Sequence, residues 1–573
     1  MTAVEIRNRI LEAVSANGGH LASSLGAVEI AMTLRKVFDP ARDRIVWDVG
    51  HQAYAWKILT GRDAALGTLR TLGGISGFPN PQESACDAAV AGHAGVALSV
   101  AEGFAAARDR KGTDEHAVAV VGDASIVNGT SFEALNNCVG ATRKVIVILN
   151  DNGMSISKPT GSFSKLLGKL ITGIRYNRVK AAAERAGHAL RLTFLRGIYH
   201  KIERQLKSWF LGNAYFEQFG LRYIGPIDGH DLRALEAAFI VAKEDKRSVL
   251  VHVVTRKGHG YAPAEKNPTE WHGVGSFEYP PSLDGARLKP RPAVGRSWSE
   301  VFGDGLVSLA AADSRVVALT AGMKDGTGLE KFAKTFPERF YDVGIAEEHM
   351  VAFAAGLAGG GMRPVIAVYS TFLQRAVDQV MHDVAISGLP VVFCVDRAGV
   401  VGADGVTHQG LYDIAMLRCL PNLTICQPKD AEDFRLLLAE ALGRKGPTVI
   451  RYPRGKCLDF APEPLPPSDP KLAIWCTGDW YGKACAVAER TGGVAVHARY
   501  LKPFDAPLLA RQRASGMRIV SLENGCVAGG LGEAIGADVK FGWPDEFIPH
   551  GTSAELERKY GLDVDSLVEK LNG

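Results

Sequence analysis

Residues Ala117 to Asp123 read AVAVVGD, and residues Val145 to Met154 read VIVILNDNGM. Each is a short run, apolar throughout and rich in β-branched side chains, that stops on a polar end. That is the pattern of a strand buried on both faces of a parallel sheet. The intervening stretch Phe132 to Asn137 has helical character and serves as the crossover. In open sheets of this kind ligands sit beyond the carboxyl ends of the strands, and a helix N-terminus there attracts anions. Asp123 and Asn152 are therefore expected at one sheet edge. Magnesium takes hard oxygen ligands, and Asp123, the Asn152 amide oxygen and the Met154 carbonyl would supply the protein share of an octahedron completed by phosphate oxygens.

The same alternation of apolar runs and helical patterns extends from Val4 to about Val254, ending on VLVHVV at Val249 to Val254. At 573 residues the chain is too long for one core, so several domains are expected. Two Pro-rich stretches without periodicity, 280–294 (PPSLDGARLKPRPAV) and 461–471 (APEPLPPSDPK), mark boundaries. The expectation is α/β: three doubly wound domains with mostly parallel sheets, spanning 1–289, 290–460 and 461–573. The segment 158–212 is basic and carries no strand signal. It is expected to be a helical or mobile insertion, covering the first domain or serving as a lid.

Composition excludes several classes. The formal charge of +4 comes with no long Lys/Arg block, which argues against nucleic acid as a partner. The nine cysteines contain no CxxC pair, so they are expected to be buried, reduced thiols of a cytosolic protein. Met1 to His20 carries Glu5, Arg7, Arg9 and Glu12 at helical spacing, an amphipathic helix and not a signal peptide. No run approaches the roughly 18 apolar residues of a membrane span. The expected location is the cytoplasm, with no membrane partner.

Gly122-Asp123 with Asn152 downstream resembles the thiamine-diphosphate signature, Gly-Asp-Gly followed by an Asn-rich strand end. Ala124 stands where that signature has its third glycine, adding a methyl where backbone meets diphosphate. Gly92 to Ser99 (GHAGVALS) occupies the place of a Ser/Thr-rich loop. Thiamine chemistry also needs a carboxyl group against the aminopyrimidine ring, and Glu347, in DVGIAEEH at Asp342 to His349, provides one ahead of a Gly/Ala-rich stretch.

The segments GGHLASSLG (Gly18 to Gly26), WDVGHQAY (Trp47 to Tyr54), YIGPIDGH (Tyr223 to His230), KGHGYAPAE (Lys257 to Glu265), YSTFLQR (Tyr369 to Arg375), DRAGVVGADGVTHQG (Asp396 to Gly410) and YPRG (Tyr452 to Gly455) resemble the 1-deoxy-D-xylulose-5-phosphate synthase family of transketolase-like enzymes. The resemblance implies decarboxylative condensation of pyruvate with D-glyceraldehyde 3-phosphate, using thiamine diphosphate and Mg2+, in a homodimer. It implies a diphosphate-binding first domain, an aminopyrimidine-binding second domain and a C-terminal transketolase-like domain. By the same resemblance His20, His51, His272 and His408 surround the reactive carbon, and Glu347 activates the cofactor. Gly92, His93, Ala124, Ser125, Lys257 and Phe372 join the cofactor residues, with the Phe372 ring on the aminopyrimidine. Arg397 and Arg454 anchor the acceptor phosphate beside Tyr369, Asp404 lies on the substrate side, and Arg375 is near the pyruvate-derived carboxylate. His259 departs from a basic residue common in relatives. Two other readings share these residues: a transketolase-type enzyme using a ketose donor, and a catalytically weak thiamine-diphosphate binder with a sensing role.

Overall fold

A computed structural model describes residues 1–154, 213–279, 295–461 and 464–573. The expected insertion at 158–212 and the first Pro-rich boundary lie outside the described residues. Contacts divide the chain into two compact units, Met1–Arg70 with Gly74–Lys289, and Thr71–Gly73 with Pro290–Gly573. Each is taken by itself below.

The first unit is built on a five-stranded, all-parallel sheet of β1 (Arg44–Trp47), β2 (Ala117–Gly122), β3 (Ile146–Asp151), β4 (Arg222–Asp228) and β5 (Val249–Val254), in the order β1-β2-β3-β5-β4. β2, β3 and β5 are buried along almost their whole length. Val118, Val120, Ile146 and Ile148 face one apolar core, while Ala119, Val121, Val147 and Leu149 face the other. This alternation explains why the runs are apolar throughout: successive side chains point to opposite faces and both faces are covered. The register pairs Gly122 with Asn150 and Asp151 with Val254. Asp123, Asn152 and the Thr255–Lys257 turn therefore leave one edge of the sheet.

The N-terminal helix Ala3–Asn17 begins with a capping box between Thr2 and Glu5. Arg7, read from sequence as part of a polar face, is instead buried. It donates to both Glu29 carboxylate oxygens at 2.7 and 2.8 Å and to the His259 carbonyl at 2.8 Å. The cysteines also differ in part from expectation: none of the nine is in a disulfide and seven are buried, but Cys419 is exposed and Cys86 half-buried.

The second unit holds a seven-stranded sheet in the order β14-β10-β11-β9-β8-β6-β7. Its strands are β6 (Val316–Thr320), β7 (Phe340–Asp342), β8 (Arg363–Tyr369), β9 (Val392–Asp396), β10 (Thr424–Cys426), β11 (Thr448–Arg451) and β14 (Tyr500–Lys502). Only β14 runs antiparallel. A second, all-parallel sheet orders β12 (Leu472–Cys476), β13 (Val494–His497), β15 (Arg518–Cys526) and β16 (Val539–Trp543) as β13-β12-β15-β16. No helix among the described residues is long and apolar enough to cross a membrane.

Candidate active site

In the first unit, Asp123 follows the last residue of β2 and is 6% exposed. Burial pushes its carboxyl up to about 8, and the charge of Asp151 adds to the rise, while an Asn152 backbone hydrogen bond and the Lys257 charge oppose it. Asn152 sits in a turn closed by its own side chain, which accepts the Met154 N–H at 3.1 Å. Lys257 is itself buried, and burial lowers its ammonium to about 8 against the pull of Asp123. A buried acid reinforced by a second acid is an environment that a divalent cation stabilises. The donor set is all oxygen, which suits magnesium.

The loop Gly92–Val96 is fixed from below by Asp48, at the end of β1. The Asp48 carboxylate accepts the N–H groups of Gly95 at 2.9 and 3.0 Å, of Val96 at 3.1 Å and of Ala97 at 3.0 Å. It thereby caps the helix Ala97–Lys111. Ser125 also hydrogen-bonds to Asp48. Gly95 has φ +87°, and a Cβ there would fall 2.4 Å from the Asn128 side-chain oxygen, so this turn admits only glycine. Gly92 is buried, whereas His93 and Ala124 are half-buried.

His20, His51 and His272 form a triangle of imidazoles, with ring centroids 5.8, 5.7 and 5.3 Å apart. Burial first, then the charges of Lys257 and the two neighbouring histidines, holds His272 well below the usual histidine range. The Ser23 hydroxyl lies 3.3 Å from its Nδ1. A second histidine group, Glu29, His230 and His259, has donor atoms within 4.8 Å of one another, but both Glu29 oxygens already accept from Arg7. His230 Nε2 accepts the Arg256 N–H at 2.8 Å, which leaves the proton on Nδ1 facing Glu29 at 3.1 Å.

In the second unit the candidate residues also lie at or beyond strands' carboxyl ends. Glu347 comes after β7 and opens the helix Glu347–Gly359. It is 3% exposed, and burial raises its carboxyl to about 7 although Arg375 Nη1 stands 3.4 Å from its Oε2. Tyr369, the last residue of β8, and Phe372 stack at 5.8 Å, and Phe372 meets His408 edge-on at 5.6 Å. After β9, Arg397 lies 3.8 Å over the Tyr369 ring. Its φ of 59° is unusual for a side-chain-bearing residue and marks a locally strained position. Arg454, after β11, stands 3.6 Å from Asp404.

Sequence reasoning missed the residues that hold this cluster. A Cβ on Gly326 would fall 1.8 Å from the Tyr369 hydroxyl, so the glycine makes room for the ring under Arg397. Gln409 accepts the N–H of Val401 at 2.7 Å and donates to the Pro549 carbonyl at 3.1 Å. Asn524, on β15, accepts the Val400 N–H at 3.1 Å and the Trp543 indole N–H at 2.9 Å. The loop carrying Asp404 and His408 is thus tied to the four-stranded sheet. Gly399 has φ +84°, and a Cβ there would fall 2.2 Å from the Asn524 side-chain nitrogen, so only glycine fits.

A family model described as 1-deoxy-D-xylulose-5-phosphate synthase matches residues 1–255, and one described as Transketolase, pyrimidine binding domain, matches residues 295–458. The chain is 43% identical to 1-deoxy-D-xylulose-5-phosphate synthase 1 of Geobacter metallireducens, covering 99% of this chain and 95% of that protein. It is 44% identical to the 1-deoxy-D-xylulose-5-phosphate synthase of Oleidesulfovibrio alaskensis, covering 98% of this chain and 92% of that one. The same identity relates it to the synthase of Desulforudis audaxviator, over 99% and 93% of the two chains.

Because burial places the native Glu347 carboxyl at about 7, above its value of 4.5 without burial, the folded state binds this proton more tightly than the unfolded state. Its contribution to stability is then lost as pH rises through that window. Glu347→Gln removes the ionisation. Thermal unfolding of cofactor-free protein should show the variant melting above the parent at pH 8, with the difference shrinking toward pH 5. A difference that is constant with pH would contradict the assignment.

Proposed function

The chain belongs to the 1-deoxy-D-xylulose-5-phosphate synthase family, and we propose that its two clusters are the diphosphate and aminopyrimidine halves of that family's chemistry. The reaction is the thiamine-diphosphate-dependent condensation of pyruvate with D-glyceraldehyde 3-phosphate to 1-deoxy-D-xylulose 5-phosphate and carbon dioxide, the first step of the non-mevalonate isoprenoid pathway. The single observation carrying the site assignment is Asp123, a buried acid at a strand end with a second acid, Asp151, beside it.

Asp123, Asn152 and the Met154 carbonyl would hold Mg2+, and Lys257 with the Gly92–Val96 loop would face the diphosphate. Gly92, His93, Gly122, Ala124 and Ser125 line this part of the reading. Thiamine diphosphate, when bound, supplies the nucleophilic carbon and the electron sink that a 2-oxo acid needs in order to lose carbon dioxide. Glu347 would hold a proton against the aminopyrimidine ring, and a carboxyl titrating near 7 exchanges that proton readily at neutral pH. Phe372 offers an apolar face to the same ring.

Three imidazoles within 6 Å of one another cannot all carry charge. His20, His51 and His272 are therefore suited to accept and return protons as the acceptor aldehyde becomes an alcohol, with His408 in the same role from the second unit. Arg397 and Arg454 would clamp the acceptor phosphate: the first is held on Tyr369, and the second stands beside Asp404. Arg375 pairs with Glu347 and would face the pyruvate-derived carboxylate. The reading extends to a cytoplasmic homodimer that engages neither nucleic acid nor membrane.

Carbon dioxide release from pyruvate should require both thiamine diphosphate and Mg2+, and should yield a ketose phosphate only when glyceraldehyde 3-phosphate is present. Transfer from xylulose 5-phosphate without carbon dioxide would support the ketose-donor reading instead. In the same assay Glu347→Ala should lower kcat by about 10^3-fold with the fold retained, and near-parental turnover would remove Glu347 from the mechanism. Arg397→Ala and Arg454→Ala should each raise KM for the phosphorylated acceptor by roughly tenfold or more, the loss of one charge-assisted hydrogen bond, while KM for pyruvate stays near the parental value. An equal change in both constants would argue against a phosphate clamp.

A further inference from the structure

Two buried side chains and a half-buried one behind the candidate metal site form a chain that the reaction does not use. The Tyr223 hydroxyl, on β4, lies 2.7 Å from His252 Nδ1, on β5, and His252 Nε2 lies 2.9 Å from Asp151 Oδ2, the last residue of β3. His252 and Asp151 are 0% and 1% exposed. Both contacts are satisfied at once when Nε2–H donates to the carboxylate and Nδ1 accepts the phenol O–H. A histidine in the middle of VLVHVV would otherwise be an unpaired polar group between two apolar cores. The other Asp151 oxygen accepts the Gly153 N–H at 3.1 Å, which sets the turn that carries Asn152 and Met154.

We infer that Tyr223 and His252 are positioning residues for the divalent cation: they fix Asp151, and through it the Asn152-Gly153-Met154 turn and the second negative charge beside Asp123. The inference rests on the magnesium reading of Asp123 and Asn152 given above. The geometry follows a recurrent arrangement, in which groups behind the ligands orient them, and removal of such groups lowers metal affinity by roughly 10–100-fold. Here the chain acts one residue away from a ligand, through the backbone of the turn. The Asp151 carboxylate, which only accepts, sets the proton on Nε2, and Tyr223 adds the last constraint by donating its O–H to Nδ1 and holding the ring in that orientation.

The test is a titration of Mg2+ into the full-length protein at saturating thiamine diphosphate, followed by intrinsic fluorescence, for the parent, Tyr223→Phe, His252→Gln and His252→Leu. Gln keeps an N–H donor for Asp151 and loses the acceptor for Tyr223, whereas Leu loses both. The expected order of Mg2+ dissociation constants is parent, then Tyr223→Phe and His252→Gln at about threefold to tenfold weaker, then His252→Leu at tenfold or more. Thermal unfolding without metal is measured alongside, and Tyr223→Phe, which removes one oxygen atom, keeps the test open should His252→Leu fail to fold. Mg2+ affinity in Tyr223→Phe and His252→Gln equal to the parental value would overturn the inference. If the parent itself shows no Mg2+-dependent cofactor binding, the metal reading fails, a different result from a parent that binds and variants that bind equally well.

Discussion

A parallel strand can be followed by another only if the chain climbs back to the same starting edge, so every crossover leaves the carboxyl ends of the strands on one side. In the first unit the backbone register of β2, β3 and β5 brings Asp123, Asp151, Asn152 and Lys257 to that side from positions up to 134 residues apart in sequence. In the second, β7, β8, β9 and β11 deliver Glu347, Tyr369, Arg397 and Arg454 in the same way. Neither cluster owes its location to local sequence. Each depends on ladder hydrogen bonds that are sealed between two apolar cores and so are not exchanged for water.

The chemistry concentrates where this seal is least favourable to charge. Asp123, Glu347 and Asp396 all sit at strand ends or first turns, and burial raises all three carboxyls, to about 8, 7 and 6. Asp396 is partly relieved by the Ser299 hydroxyl at 2.7 Å and by Arg397. The other two have weaker local compensation, a cost accepted at binding sites because a ligand can supply what the protein withholds.

Legibility followed the range of the interaction. The buried strands were readable because a run with both faces covered has no polar positions, and AVAVVGD and VIVILND contain none before their ends. Asp123 and Asn152 were readable as polar stops on such runs. Glu347, Arg397 and Arg454 carry no such signal by themselves and were picked out only through the motifs around them. The supports were hidden, because their partners are distant: Arg7 reaches Glu29 and His259, Asp48 reaches Gly95, and Asn524 reaches Val400 across 124 residues. Helical spacing cannot distinguish a solvated arginine from one that a buried glutamate pairs, so the burial of Arg7 carried no signal. His252 lies inside the run VLVHVV, and only the pairing of β4 with β5 reveals the phenol beside it.

The tie between Asn524 and the loop at Val400 has a bearing on the order in which the protein matures. During synthesis the chain completes β6 to β11 before residue 524 exists, so the seven-stranded sheet can assemble, short of its edge strand β14, while the segment bearing Asp404 and His408 still lacks its anchor. That segment reaches its final geometry only after β15 has been made and has joined β12 and β16. The last strands of the chain are thus what complete the loop bearing Asp404 and His408.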